Sequence, residues 1–173
     1  MKRRWRLWTG LALLLLVGAL LLHPAVHWRL IGWYRGEAFY HGRPTSWWAF
    51  EIEKNYYCVL GESGNHLPSY MHFVYRSPPS FWEQLSSIVP GTSLQAKELW
   101  ADPPIKGGGD ALPLYLELLH RPEPKVRLAA VISLGAIYPR TEDISSILKA
   151  AQRDEDKAVR REANMYLVGW PEP

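Results

Sequence analysis

The residues best suited to chemistry stand in two groups. Cys58, His66 and His72 bring a thiol and two imidazoles into one short stretch, the raw material of a zinc site or an activated nucleophile. Their spacing matches no zinc pattern, and a Cys/His pair needs a third group to orient the base. No metal ligand and no catalytic residue is assigned on this ground, and the expectation is a buried thiol beside solvated loop histidines. The second group is Arg127, Ser133, Arg160, Arg161, Asn164 and Tyr166. A guanidinium fork takes a carboxylate through paired hydrogen bonds, and hydroxyl and amide groups adapt around it. That is the chemistry of holding a partner, so these six are the candidate partner-binding residues. Motifs for bond-making are missing from the sequence. Gly107-Gly108-Gly109 lacks the Lys-Ser/Thr of a phosphate cradle, and Gly61-Glu62-Ser63-Gly64 has the wrong spacing for a nucleophile elbow. No cofactor, no small-molecule substrate and no enzymatic activity is expected.

The second group is positioned by a pattern that occurs twice, 33 residues apart. Asp110 falls on Asp143, Leu114 on Ile147, Tyr115 on Leu148, Val126-Arg127 on Val159-Arg160, Ala130 on Ala163 and Leu134 on Leu167. A period of this size signals a solenoid. Each copy reads as two helices. Leu112, Tyr115, Leu116 and Leu119 recur at the three- and four-residue steps of one helix face, with Asp110 as the expected N-cap. Pro122 and Pro124 interrupt, and a second helix starts near Pro124, where the missing N–H costs nothing. In the second copy Thr141 or Asp143 caps, Asp154-Glu155-Asp156 makes the turn, and the last helix runs from about Ala158 to Val168. His120 closes the first helix, where the dipole favours a cation.

The run Val126-Arg127-Leu128-Ala129-Ala130-Val131-Ile132-Ser133-Leu134-Gly135, and its second copy Val159-Arg160-Arg161-Glu162-Ala163-Asn164-Met165-Tyr166-Leu167, resemble the HEAT-like repeat. The likeness extends to the short bacterial kind also found in phycobilisome lyases and covers residues 110–170. It implies stacked helical hairpins used for protein–protein contact. It also implies that the repeated arginine pairs with an acid of a neighbouring turn, here Asp143, Asp154 or Asp156. The competing reading keeps Arg127 and Arg160 free, in a ligand-facing stripe with Ser133, Asn164 and Tyr166. The lyase likeness supplies a second functional reading, a small accessory enzyme or lyase-like chaperone. Glu37–Trp48, with Gly42 and Pro44 making a turn before Thr45-Ser46-Trp47-Trp48, resembles a module that precedes bacterial repeats of this kind. Thr45 or Ser46 is expected to cap a helix carrying Trp48, Ile52 and Tyr56 on one side.

Charge excludes one class of partner. The net charge is +3, but seven basic residues (Lys2, Arg3, Arg4, Arg6, Arg29, Arg35 and Arg43) stand against Glu37 alone in residues 1–45. From residue 110 onward nine basic residues face ten acidic ones, so the repeats carry no basic face for nucleic acid. A single cysteine excludes an intrachain disulfide.

The basic N-terminus leads into Leu7–Leu22, sixteen residues without charge. At 1.5 Å per residue they reach ~24 Å, short of the roughly 30 Å hydrocarbon layer, and extension to Trp28 gives about 22 residues, enough to cross. Trp5, Trp8, Trp28, Trp33 and Tyr34 suit the two interfaces. Cleavage after Val17-Gly18-Ala19 would cut inside the apolar run, so an uncleaved signal-anchor is expected over 7–28. The positive-inside rule then sets a single-pass protein of the cytoplasmic (inner) membrane, N-terminus inside and the remainder extracytoplasmic.

Residues 58–109 are irregular. Cys58–Leu60 and Tyr70–Tyr75 suit short strands, and Ser80 with Glu83 forms a capping box for a helix to about Val89. Gly107–Gly109 reads as a flexible joint. The predicted fold is therefore mainly α: a transmembrane helix over 7–28 behind a basic flank 1–6, a juxtamembrane and aromatic helix over 29–57, an irregular capping region 58–109 with short β pieces in 58–76, and a short α-solenoid of two HEAT-like hairpins, 110–139 and 143–170. The expected function is a membrane-anchored, non-catalytic scaffold binding protein partners on the extracytoplasmic side.

Overall fold

A computed structural model of the chain describes residues 8, 10–15, 17–18, 23–60, 71–80, 83–84, 97–101, 103–139 and 141–168. Four helices make the two hairpins: α3 (Leu112–Leu119), α4 (Pro124–Gly135), α5 (Glu142–Ala151) and α6 (Lys157–Val168). Ahead of them come α1 (Pro24–Arg35), a hairpin of β1 (Phe39–Tyr40) and β2 (Arg43–Pro44), and α2 (Thr45–Asn55). A second, antiparallel sheet has β4 (Met71–Arg76) between β3 (Tyr56–Leu60) and β5 (Glu98–Trp100).

The helix boundaries follow from who satisfies the end groups. α4 opens on Pro124, whose absent N–H would have had no partner there. The Thr141 hydroxyl accepts the Ile144 N–H at the start of α5. Asp156 Oδ1 accepts the N–H groups of Ala158 and Val159 and so starts α6. α1 ends at Gly36, whose left-handed φ of 65° lets its N–H reach back to Gly32 and Trp33. His41 and Gly42, both with positive φ, close the β1–β2 turn.

α4 is the axis of the core. Every residue from Val126 to Gly135 is buried, because α2, α3, α5 and α6 all pack on it. A helix apolar on all sides has no solvent face to offer. Its two polar exceptions, Arg127 and Ser133, are both hydrogen-bonded. Ile52 of α2, Phe73 of β4, Ile105, and Leu114, Tyr115 and Leu118 of α3 complete the same core. The lead-in is tied down by two glutamates, one from α3 and one of its own. Glu117 of α3 accepts the Ala38 N–H at 2.8 Å and the Thr45 hydroxyl, while Glu37 accepts the Ser46 N–H at 2.8 Å.

Several expectations are corrected. The transmembrane helix over 7–28 is not found, and among the described residues no helix is long and apolar enough to cross a membrane. The expected span needed Leu7–Trp28 to be one helix. His23 instead has extended backbone, and Pro24 begins α1, a separate helix that carries Arg29 and Arg35. α1 packs on the body: Arg29 Nε donates to Gly42 O at 3.1 Å and Trp28 stacks on Phe50. The sixteen residues left before His23 are too short for the hydrocarbon layer by the ~24 Å reckoning. The single-pass inner-membrane placement, with an extracytoplasmic body, falls with that helix.

Smaller corrections concern caps and joints. Asp110 does not cap α3; its carboxylate takes the Gly108 N–H within a 3-10 turn over Gly109–Ala111, and α3 begins at Leu112. Thr45 and Ser46 lie in the first turn of α2 behind Pro44, and it is Glu37 that accepts a first-turn N–H, that of Ser46. Tyr56 begins β3 rather than ending α2. Gly107 is no flexible joint, since a Cβ there would stand 2.5 Å from the Ala111 Cβ and under 3 Å from the hydroxyls of Tyr40 and Tyr115. The capping box is present, Ser80 N–H to the Glu83 carboxylate and Glu83 N–H to the Ser80 hydroxyl; the helix expected to follow it lies, beyond Gln84, outside the described residues.

Candidate partner-binding face

Arg127 leaves α4 near its start and points into the junction between the hairpins. Its Nε and Nη2 donate to Oδ2 and Oδ1 of Asp154 at 2.9 and 3.0 Å, a bidentate pair, and Nη2 also reaches Glu155 at 3.0 Å. Its Nη1 donates to the carbonyls of Arg121 and Pro122 at 2.9 and 2.8 Å. The residue is 5% exposed. Burial alone would push the Asp154 carboxyl up, but hydrogen bonds from Arg127 and the Asp156 N–H, with the charges of Arg127 and Arg160, hold it below the usual range. The Asp154 hydrogen bond is also the main reason the Arg127 guanidinium is held above its ordinary value. Of the three acids open to it, Arg127 takes Asp154.

Arg160 repeats half of this arrangement. Its Nη1 donates to the carbonyls of Asp154 and Glu155, both at 2.7 Å. Those carbonyls lie six and five residues upstream, as Arg121 and Pro122 do for Arg127. Among the described residues no carboxylate forms an ion pair with Arg160.

The remaining candidates divide between interior and surface. The Ser133 hydroxyl is buried and accepts the Ile105 N–H at 3.3 Å. Tyr166 is half-buried, its ring lying where Gly135 has no Cβ. Arg161 donates from Nη2 to Glu162 at 3.0 Å while its own side chain stays 41% exposed. Glu162 is fully buried; its Oε1 also accepts the Met71 N–H at 3.2 Å, so β4 is fastened to α6. Asn164 is exposed and its Oδ1 accepts from Gln152 Nε2 at 2.6 Å. The chain's own Met71 and Ile105 therefore cover part of the second-helix face, leaving Arg160, Arg161 and Asn164 at the surface. Sequence reasoning missed Glu162 and the Ser133–Ile105 contact for different reasons: Glu162 stands where the first copy has Ala129, a departure that was visible, whereas Ile105 precedes the repeat and carries no pattern.

Of the cysteine and the histidines, Cys58 and His72 stand on the paired strands β3 and β4. Cys58 is exposed on β3 opposite Phe73, which corrects the expected buried thiol. Loss of hydration to the surrounding protein, opposed by Lys125 and reinforced by Glu162 and Glu53, pushes the thiol up to about 11, away from the thiolate a nucleophile needs. His72 meets the Trp100 ring edge-on at 5.4 Å. His66 lies outside the described residues. Among the described residues no three His, Cys, Asp or Glu side chains are grouped to hold a metal ion.

The family model for HEAT repeats matches residues 92–168, which span both hairpins and β5. No curated protein matches the chain, and no solved structure does. The match supports a HEAT-like repeat protein, and repeats of this kind usually mediate protein interactions.

Proposed function

We propose that this HEAT-like repeat chain is a non-catalytic scaffold whose partner is another protein, bound on the outer side of α6 through Arg160, Arg161 and Asn164. The observation that carries the reading is the division of the six candidates. Arg127 and Ser133 are spent inside the fold, while Arg160 and Asn164, one helical turn apart, share a surface with Arg161 beside them. Two guanidinium groups and an amide on a rigid helix recognise carboxylates and backbone carbonyls without needing a cleft. Partner contact through side chains on a packed element costs little ordering entropy.

A photo-crosslinking residue in place of Asn164, in the full chain expressed in its own cells, tests this. The expected result is one or a few discrete heavier species that are not formed when the same residue replaces Ser146 on α5. No product at 164, or the same products at both positions, would overturn the reading.

A further inference from the structure

The register of the two arginines identifies what is missing at the second one. Arg127 uses two edges of its guanidinium: Nη1 for the carbonyls of its own hairpin turn, and Nε with Nη2 for the carboxylate of Asp154 from the next turn, 27 residues on. Arg160 repeats the first edge atom for atom. Its Nε and Nη2 edge has no carboxylate partner among the described residues; Asp154 acts on it only as a nearby charge. Arg160 is only partly buried, and its hydrogen bond to the Glu155 carbonyl is exposed, so the side chain is within reach of another molecule.

We propose that the Nε–Nη2 edge of Arg160 receives an acidic residue at the turn of a helical hairpin belonging to a partner protein, seated on α6 as α5 and α6 are seated on α4. This rests on the scaffold reading and gives the partner its chemistry. Charge selects the occupant. A second copy stacked by its first hairpin would present Arg121, which stands at the register position of Asp154, and two guanidinium groups would face each other. Its α3–α4 pair is moreover already covered by α2. An Asp or Glu at that place makes the bidentate pair that Arg127 makes with Asp154, with the same geometry and the same neighbouring carbonyls.

The test uses the full chain with ¹⁵N-labelled arginine and a cyclised peptide copying residues 150–159, which carries the acidic turn. The Arg160 Nε–Hε resonance, identified by its loss in Arg160→Lys, should shift saturably, while that of Arg127, whose edge is filled, stays in place. Replacing the peptide's Asp154 by Asn should weaken binding at least about tenfold, the scale of a charge-assisted pair. In Arg160→Glu protein, binding should be lost to the native peptide and regained by one carrying Lys at that position. Equal shifts with the Asp and Asn peptides, or no shift of Arg160, would overturn the proposal. Shifts confined to Arg161 would also overturn it, yet leave the scaffold reading standing, because crosslinking from position 164 does not depend on Arg160.

Discussion

The two hairpins carry one sequence pattern in two environments. α4 is enclosed from Val126 to Gly135, whereas α6 buries Val159, Glu162 and Ala163 and exposes Lys157, Asn164 and Val168. At Arg127 the guanidinium is sealed between the hairpins; at Arg160 the same residue type keeps only its own turn's carbonyls. At Gly135 the missing Cβ admits the Tyr166 ring, and at the matching position Val168 stands exposed. A repeat motif fixes which atoms an arginine can offer, and place in the stack decides whether they are structural or available.

Substitution at Arg127 should break the contrast most sharply. Arg127→Ala leaves Asp154 without its partner in a largely dry junction, and about 3–5 kcal/mol of stability should be lost in urea unfolding. Gly135→Ala comes next. Its Cβ would lie 2.3–2.5 Å from the Tyr166 ring carbons, and forcing the ring aside should cost about 1–3 kcal/mol, while Val168→Ala stays within about 0.5 kcal/mol. Arg160→Ala removes two hydrogen bonds at a partly exposed site and should cost about 1 kcal/mol, so a loss equal to that of Arg127→Ala would erase the distinction.

The smallest effect is a pH dependence. Asp154 has its carboxyl held low in the folded chain, so its pairing contributes fully above the unfolded value of about 3.9 and is lost as pH falls through the folded one. The stability margin of the native chain over Asp154→Asn should therefore be constant around neutrality and shrink in acid. A margin that grows as pH falls would contradict the ion pair.

What was legible in the sequence was local or periodic. The 33-residue offset placed all four repeat helices, Pro124 marked the start of α4, and Asp154 stood among three acids open to Arg127. Ser80 and Glu83 are three residues apart and met as a capping box. Contacts made across long stretches of chain were not legible. Glu117 tying Ala38 and Thr45, Ser133 accepting from Ile105, and Glu162 holding Met71 join residues with no shared period. β5 is three exposed residues recognisable only by pairing with β4. The membrane span failed on geometry: hydropathy counted across His23–Pro24, where α1 has its start.

The central claim is that residues 112–168 form two stacked hairpins with Arg127 clasping Asp154 across the junction. A double-mutant cycle on Arg127→Ala and Asp154→Ala, read by urea unfolding of the full chain, tests it directly. The account predicts a coupling of about 2–3 kcal/mol. A coupling near zero, with the two losses simply adding, would mean that the arginine and the aspartate do not meet and that the hairpins are not stacked in this way.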